Sequence, residues 1–237
     1  MHNYEVEIKV LLSSKENKNK FKENLKHKLI DLKFLWKNSQ LNHYFIGWDF
    51  DKLKENIIKK LPKEKQESLK NILSLNWEHS FRTRYEKWNS ILVIKLSVDD
   101  TTSSNWIARL EWEHIFKKMK IDDLDKVLLD SDFEYQAKWS REREEYKSKN
   151  NINITIDKNA WYWYLSEFEM VVSSREEAEK AEESIRKLLW ELELSELNQD
   201  KLAKMFKYYN ENWKDYYWTD KYFILSDDGT IKDYTHK

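Results

Sequence analysis

The sequence predicts an α+β fold, in which a closed antiparallel β-barrel carries helices on its outer surface. Short segments alternate charged and apolar residues with the period of two that is expected of strands. Glutamates and arginines recur in pairs two residues apart, so both members of a pair share one face of their strand. Segments of helical periodicity separate these strands and can cover the apolar outer face of a barrel whose interior holds the charges.

The first predicted strand shows this alternation clearly. Glu5, Glu7 and Lys9 form one charged row, while Val6 and Ile8 form an apolar row on the opposite face. A single charged row on a half-buried strand is usually solvent-exposed. Recurrence of such rows along the chain therefore decides whether they line an interior.

Helical and strand patterns alternate over the next seventy or so residues. After a Ser13-Ser14 cap, apolar residues spaced by three and four predict a helix from about 15 to 34. A short strand is predicted over 40–46. Two helical segments between 51 and 75 are separated by Pro62, which cannot continue a helix.

A hairpin follows. Arg82 and Arg84 share one face of the strand 80–85, and the strand 90–95 returns after a turn near 87–89. Lys95 ends this apolar strand, where a charge needs a partner or water.

The next strand, predicted over 107–113, carries a second pair of carboxylates. Glu111 and Glu113 lie on one of its faces, and a short helix is predicted over 121–129.

Three further strands complete the predicted set. Arg141 and Arg143 repeat the arginine pair on the strand 133–146, and Asp157 lies on the strand 153–157. Glu167 and Glu169 form a third carboxylate pair on the strand 165–171. A capped helix to about 193 follows, and the segment 197–237 shows only a helical and a strand pattern.

The chemistry of these rows indicates a site for a metal-bound polyphosphate. Carboxylate oxygens are the ligands that Mg²⁺ and Mn²⁺ prefer. Arginine and lysine bind phosphate oxygens, and the arginine fork matches their geometry. Histidines are not expected in the site, because no two of them have the spacing of metal ligands.

The composition fits one large domain, or one domain with an appendage, in 237 residues. Although 36% of residues are charged, the net charge is −1, which gives no support to a nucleic-acid or membrane partner. The chain has no cysteine, so disulfides and thiolate metal sites are excluded. No signal peptide or long apolar run is evident, and we expect a cytoplasmic protein.

The ordered set of charged rows resembles the CYTH superfamily, the triphosphate tunnel metalloenzymes, over roughly residues 2 to 195. The resemblance implies a closed eight-stranded antiparallel tunnel with helices packed on the outside. It places a CYTH-like tunnel domain at 1–196 and a C-terminal helical extension, packed on the tunnel, at 197–237.

The resemblance also implies residue roles and a cofactor, Mg²⁺ or Mn²⁺. The implied metal ligands are Glu5, Glu7, Glu111, Glu113, Asp157, Glu167 and Glu169. The implied triphosphate-binding residues are Lys9, Arg82, Arg84, Lys95, Arg141 and Arg143. The residues expected to take part directly in catalysis are Glu5, Glu7, Lys9 and Glu169.

Three functions remain open at this point. The first is metal-dependent hydrolysis of inorganic tripolyphosphate or of a small organic triphosphate. The second is an adenylyl cyclase of class IV type, in which the 3′-hydroxyl of ATP attacks the α-phosphate. The third is a non-catalytic polyphosphate- or nucleotide-binding module. A triphosphate-containing small molecule is the partner in each case, and a homodimer is possible.

Tryptophan and glycine usage is inverted, with twelve tryptophans and two glycines. Trp88, Trp106, Trp161 and Trp163 stand where turn chemistry asks for glycine, and the last two flank the place of a glycine-rich turn in the CYTH superfamily. We infer that the gene comes from an organism that reads UGA as glycine. Genuine aromatic richness is the alternative, and the codons decide between the two.

Overall fold

The computed structural model describes residues 4–97, 109–159 and 162–235. Within these ranges the strands are β1 Tyr4–Leu11, β2 Lys33–Ile46, β3 His79–Glu86, β4 Asn89–Ser97, β5 Arg109–Lys117, β6 Glu134–Lys147, β7 Asn153–Asn159, β8 Trp163–Val172, β9 Lys221–Leu225 and β10 Ile231–Thr235. The helices are α1 Lys15–Lys28, α2 Phe50–Ile57, α3 Lys63–Leu73, α4 Ile121–Leu129, α5 Arg175–Glu191 and α6 Gln199–Tyr216, with a 3₁₀ turn at Ile58–Lys60.

Strands β1 to β8 form one antiparallel sheet that closes into a ring in the order β1-β5-β4-β3-β2-β6-β7-β8. The ring closes because β8 pairs with the whole length of β1, from Tyr4 opposite Val172 to Leu11 opposite Leu165. The prediction of an eight-stranded antiparallel sheet with accompanying helices is confirmed in this form. Strands β9 and β10 make a separate hairpin.

The helices cover the outer face of the ring in three groups. The apolar row of β1, Val6 and Ile8, is fully buried in a cluster with side chains of α1 and α5. Helices α2, α3 and α4 pack on β3, β4 and β5. Helix α6 and the β9–β10 hairpin pack near β6 and β8. Since apolar burial outside the ring stabilises the fold, the inner face is free to carry charge.

Helix α1 is shorter than predicted, and β2 is longer. The helix ends at Lys28, and Leu29 already has non-helical φ and ψ of −114° and 85°. Ile30 is 92% exposed, and the chain from Lys33 pairs with β6. The predicted helix to 34 was therefore wrong after Lys28, because residues 29 and 32 kept helical spacing although the chain had already left the helix in a turn that leads to β2.

The other predicted elements lie close to the observed ones. The hairpin of β3 and β4, the helix over 121–129 and the break at Pro62 are confirmed. The predicted strand 107–113 is observed from Arg109, and its first two residues lie outside the described ranges. No helix in the described ranges combines the length and the apolar character needed to cross a bilayer.

Three tryptophans adopt the left-handed backbone conformation that favours glycine: Trp88, Trp163 and Trp218 have φ of 66°, 56° and 57°. Trp88 follows Lys87, with φ of 47°, in the two-residue loop between β3 and β4. Two successive positive φ values define a type I′ hairpin turn, whose second position usually holds glycine. Trp106 and Trp161 lie outside the described residues.

Trp88→Gly is expected to raise the free energy of unfolding by about 1 kcal/mol, because the left-handed conformation costs a residue with a Cβ roughly that much. Little packing is lost, since Trp88 is 85% exposed. Trp48→Gly is the matched control: Trp48 is 84% exposed but has no positive φ, so added chain entropy should lower stability slightly. Urea unfolding measures both. Equal effects of the two substitutions would contradict the assignment of strain to Trp88.

Candidate active site

A cavity of about 710 Å³ lies within the ring and is lined by charged side chains. The structure brings twelve of the thirteen residues predicted for the site to its wall: Glu5, Glu7, Lys9, Arg82, Arg84, Lys95, Glu111, Glu113, Arg141, Arg143, Glu167 and Glu169. The thirteenth, Asp157, is fully buried behind the wall. Six strands supply the twelve side chains, which follows from the period of two on strands that present one face inward.

Strand register brings acids and bases from different segments side by side. Glu7 lies opposite Glu169 in the pairing of β1 with β8. Lys95 lies opposite Glu111 in the pairing of β4 with β5. Side chains that lie directly opposite each other on neighbouring strands interact. An acidic residue therefore faces either another acid, as Glu7 faces Glu169, or a base, as Glu111 faces Lys95.

The carboxylates of the cavity form what we call its acidic wall: Glu5, Glu7, Glu111, Glu113, Glu167 and Glu169. Lysines form ion pairs with several of them. Lys95 Nζ lies 2.6 Å from Glu5 Oε2 and 3.2 Å from Glu111 Oε2. Lys9 Nζ contacts Glu7 and lies 3.8 Å from Glu167 Oε1. Among the residues that the structure describes, no three histidine or acidic groups converge as a metal site, because the acids contact these cations instead.

Glu5 and Glu169 of this wall are close enough for their negative charges to repel each other. Burial and the neighbouring Glu5 carboxylate raise the pKa of Glu169 to about 7. Burial also acts to raise the pKa of Glu167, but Arg143 and Lys9 outweigh it and hold that pKa well below its usual range. A carboxylate pair such as Glu5 and Glu169 is stabilised by a cation that neutralises both charges. The metal-ligand atoms that these carboxylates offer are all oxygens, which hard divalent metals prefer. The residues of the acidic wall therefore fit such a metal.

The arginines of the cavity form what we call its basic wall: Arg82, Arg84, Arg141 and Arg143. Some N–H donors of this wall have no acceptor among the described residues. Arg82 donates from Nη1 to the Tyr44 hydroxyl at 2.9 Å, while its Nε and Nη2 are buried with no hydrogen-bond partner among the described residues. Burial and the neighbouring Arg82 and Arg141 lower the pKa of Arg84 to about 10. A cluster of buried cations with unfilled N–H donors is a binding site for an anion with several oxygens.

The second arginine pair is anchored by Asp157. Arg143 donates from Nε to Asp157 Oδ1 and from Nη2 to Oδ2, both at 2.7 Å. Arg141 Nη1 donates to Oδ2 at 3.0 Å. Both oxygens of Asp157 are thus occupied by arginine donors, and the metal-ligand role that the sequence resemblance implied for this residue stays a prediction.

The sequence did not identify the aromatic part of the cavity. Tyr44, Trp139 and Tyr162 line it, together with Leu202 and Phe206 of α6. The Tyr44 and Trp139 rings lie 4.7 Å apart between centroids. Tyr44 lies on β2, where the period of two could have indicated that its side chain faces the cavity. Nothing in the amphipathic pattern of α6 showed which end of the ring it would meet.

Solved structures share this architecture, whereas no family model and no curated protein matches the chain. The PH1819 protein from Pyrococcus horikoshii OT3 has a TM-score of 0.58 and 20% identity, over 83% of this chain and 94% of that one. A putative adenylate cyclase from Vibrio parahaemolyticus has a TM-score of 0.55 and 14% identity, over 84% and 98%. The chain shares its fold with these proteins.

The likeness in these comparisons is one of fold. The PH1012 protein from Pyrococcus horikoshii OT3 extends it, with a TM-score of 0.57 and 18% identity over 81% of this chain and 91% of that one. In the ring described above, the acidic wall and the basic wall face one cavity.

Proposed function

We propose that the protein is a metal-dependent triphosphatase that hydrolyses inorganic tripolyphosphate or a small organic triphosphate inside a tunnel formed by the ring. One observation carries the proposal: the cavity combines unfilled, buried guanidinium donors of Arg82 with an opposite wall of carboxylates. An anion alone would satisfy only the first wall, and a cation alone only the second. A triphosphate with a bound divalent cation satisfies both.

The metal, Mg²⁺ or Mn²⁺, would be held by the acidic wall of Glu5, Glu7, Glu111, Glu113, Glu167 and Glu169. When bound, it supplies Lewis-acid chemistry that neutralises phosphate charge and favours attack by water. Glutamates of this wall that are not committed to the metal accept the proton of the attacking water.

The basic wall binds the substrate and stabilises the charge that develops on the leaving phosphate. Arg82 and Arg84 offer fork-shaped donors in a buried setting, where each charge-assisted hydrogen bond is stronger than in water. Lys9 and Lys95, which bridge the acids, can turn to phosphate oxygens once a metal replaces them. The ring of strands fixes these groups before the substrate arrives, so little reorganisation is required.

A second candidate, adenylyl cyclase activity, is favoured by the likeness to the putative adenylate cyclase from Vibrio parahaemolyticus. Hydrolysis ranks first because it needs only water besides the triphosphate- and metal-binding groups of the cavity wall, whereas cyclisation also needs the ribose 3′-hydroxyl held against the α-phosphate. The two reactions differ in the phosphorus attacked and in the nucleophile, so their products separate them.

The test is to incubate the protein with tripolyphosphate or with ATP, each with Mg²⁺, with Mn²⁺ or with a chelator. We expect phosphate release from tripolyphosphate that needs the metal and stops when the metal is chelated. Cyclic AMP and pyrophosphate from ATP would instead support the cyclase. Tight binding of tripolyphosphate or ATP, without turnover of either substrate under either metal, would identify a binding module and overturn both enzymatic proposals.

A further inference from the structure

A buried polar cluster lies on the outer face of the ring, away from the cavity. It consists of His43 on β2, Thr83 on β3, Asp125 on α4, Tyr135 on β6 and Tyr217 directly after α6. His43 and Asp125 are each 1% exposed, and Thr83 is fully buried. Elsewhere the helices meet the ring mainly through apolar side chains, so a buried cluster of five polar side chains differs from the rest of the outer core.

Hydrogen bonds join the five side chains into one chain. Asp125 Oδ1 accepts from the Thr83 hydroxyl at 2.5 Å, and Oδ2 accepts from the Tyr135 hydroxyl at 2.7 Å. His43 Nδ1 lies 2.6 Å from the same Oδ2, and His43 Nε2 lies 2.7 Å from the Tyr217 hydroxyl. Each member therefore has a partner, as a buried polar network requires.

The hydrogen-bonding roles of the His43 ring nitrogens depend on its tautomer. In the tautomer with hydrogen on Nδ1, His43 donates to Asp125 and Nε2 accepts from the Tyr217 hydroxyl. Burial and the nearby Asp125 raise the pKa of Tyr217 above its ordinary value, so this hydroxyl keeps its proton. The hydrogen-bond chain thus runs from Tyr217 through His43 to Asp125.

Two of the three strands in the cluster, β2 and β3, carry residues of the cavity or its hydrogen bonds on their other face. Thr83 stands between Arg82 and Arg84, whose side chains enter the cavity. His43 stands between Asn42, which accepts from Arg84 Nε at 3.3 Å, and Tyr44, which accepts from Arg82. A shift of either strand at the cluster would move the guanidinium groups on the inner face.

At its other end, the hydrogen-bond chain reaches Tyr217 at the C-terminus of α6. Tyr217 caps the C-terminus of this helix, donating its backbone N–H to Trp213 O. Leu202 and Phe206 of α6 line the cavity beside the basic wall. One continuous set of side-chain hydrogen bonds therefore connects the helix that borders the cavity with the strand that carries the arginine pair.

We propose that His43 is a positioning residue, which with Asp125 and Tyr217 fixes the arginine pair of β3 relative to α6 and so sets the affinity of the cavity for the triphosphate. The proposal rests on the triphosphatase function for its kinetic consequence. Its structural consequence, that β3 and α6 are coupled through His43, holds for any ligand.

The experiment compares Tyr217→Phe with Tyr146→Phe. The control removes a tyrosine hydroxyl that donates to Glu144 at 2.7 Å on another part of the outer wall, with no link to β3. For each variant we measure the thermal midpoint, kcat and KM for tripolyphosphate, and hydrogen–deuterium exchange. Tyr217→Phe is expected to raise KM about fivefold, the effect of one buried hydrogen bond, and to speed exchange in both β3 and α6. Tyr146→Phe is expected to leave KM and these exchange rates unchanged.

A second pair of variants distinguishes positioning from mere stability. Thr83→Ser keeps the hydroxyl and should retain the wild-type KM, whereas Thr83→Val keeps the shape and should behave like Tyr217→Phe. A lower thermal midpoint with unchanged KM and unchanged exchange in β3 would overturn the proposal.

Failure of the proposed function gives a different result. If the wild-type protein hydrolyses neither tripolyphosphate nor ATP, the triphosphatase proposal fails, and exchange alone decides the positioning role. Faster exchange in β3 on Tyr217→Phe then supports the coupling, and unchanged exchange rejects it.

Discussion

Glu7→Gln is expected to reduce tripolyphosphate hydrolysis by about 100- to 1000-fold, the usual cost of removing one preorganised electrostatic group from an active site. Glu7 lies opposite Glu169 on the acidic wall and contacts Lys9. The amide keeps the shape of the side chain but removes the negative charge that would attract the metal. Steady-state rates with saturating Mg²⁺ measure the effect.

The same substitution should leave the fold intact. Lys9 retains Glu167 as a partner at 3.8 Å, so Lys9 itself is not left without an acid. We expect the free energy of unfolding to change by about 1 kcal/mol or less. Glu16→Gln is the matched control, because Glu16 pairs with Lys20 on the exposed face of α1 and should affect neither activity nor stability. Full activity of Glu7→Gln would remove Glu7 from the catalytic set.

Much of the fold could be predicted because the inner and outer faces of the strands differ so strongly in polarity. In β1 the apolar row of Val6 and Ile8 is buried under helices, and the charged row of Glu5, Glu7 and Lys9 faces the cavity. The period of two alone gives this separation. It cannot say where a strand starts, and β2 accordingly begins at Lys33 instead of at about 40.

The parts of the site that escaped prediction depend on contacts distant in sequence. Leu202 and Phe206 reach the cavity only because α6 packs against β6. Asp157 shares a strand face with Thr155, which lines the cavity, but its side chain turns to Arg141 and Arg143. Local pattern gives the face of a strand, whereas the partner of a buried charge is set by the neighbouring strands.

The environment of Asp157 leads to the second large effect. Asp157→Asn is expected to lower the free energy of unfolding by about 3 kcal/mol, because it leaves two buried guanidinium groups without their shared counter-ion. Asp157 is fully buried, and three arginine N–H groups donate to its oxygens. Urea unfolding at neutral pH measures the loss. Asp132→Asn, which removes an exposed carboxylate that contacts Lys52, should change stability little.

The ligand response of this variant separates two roles for Asp157. If Asp157 serves the arginines, Asp157→Asn leaves Arg141 and Arg143 with excess positive charge, and tripolyphosphate should stabilise the variant more than it stabilises the wild-type protein. If Asp157 is a metal ligand, as its place in the charged rows implied, the variant should instead lose affinity for Mn²⁺ in direct titration. Both oxygens already accept from arginines, so a metal could bind there only by displacing a guanidinium group. We therefore expect the Mn²⁺ affinity to change less than the stability, and the reverse result would place Asp157 in the metal site.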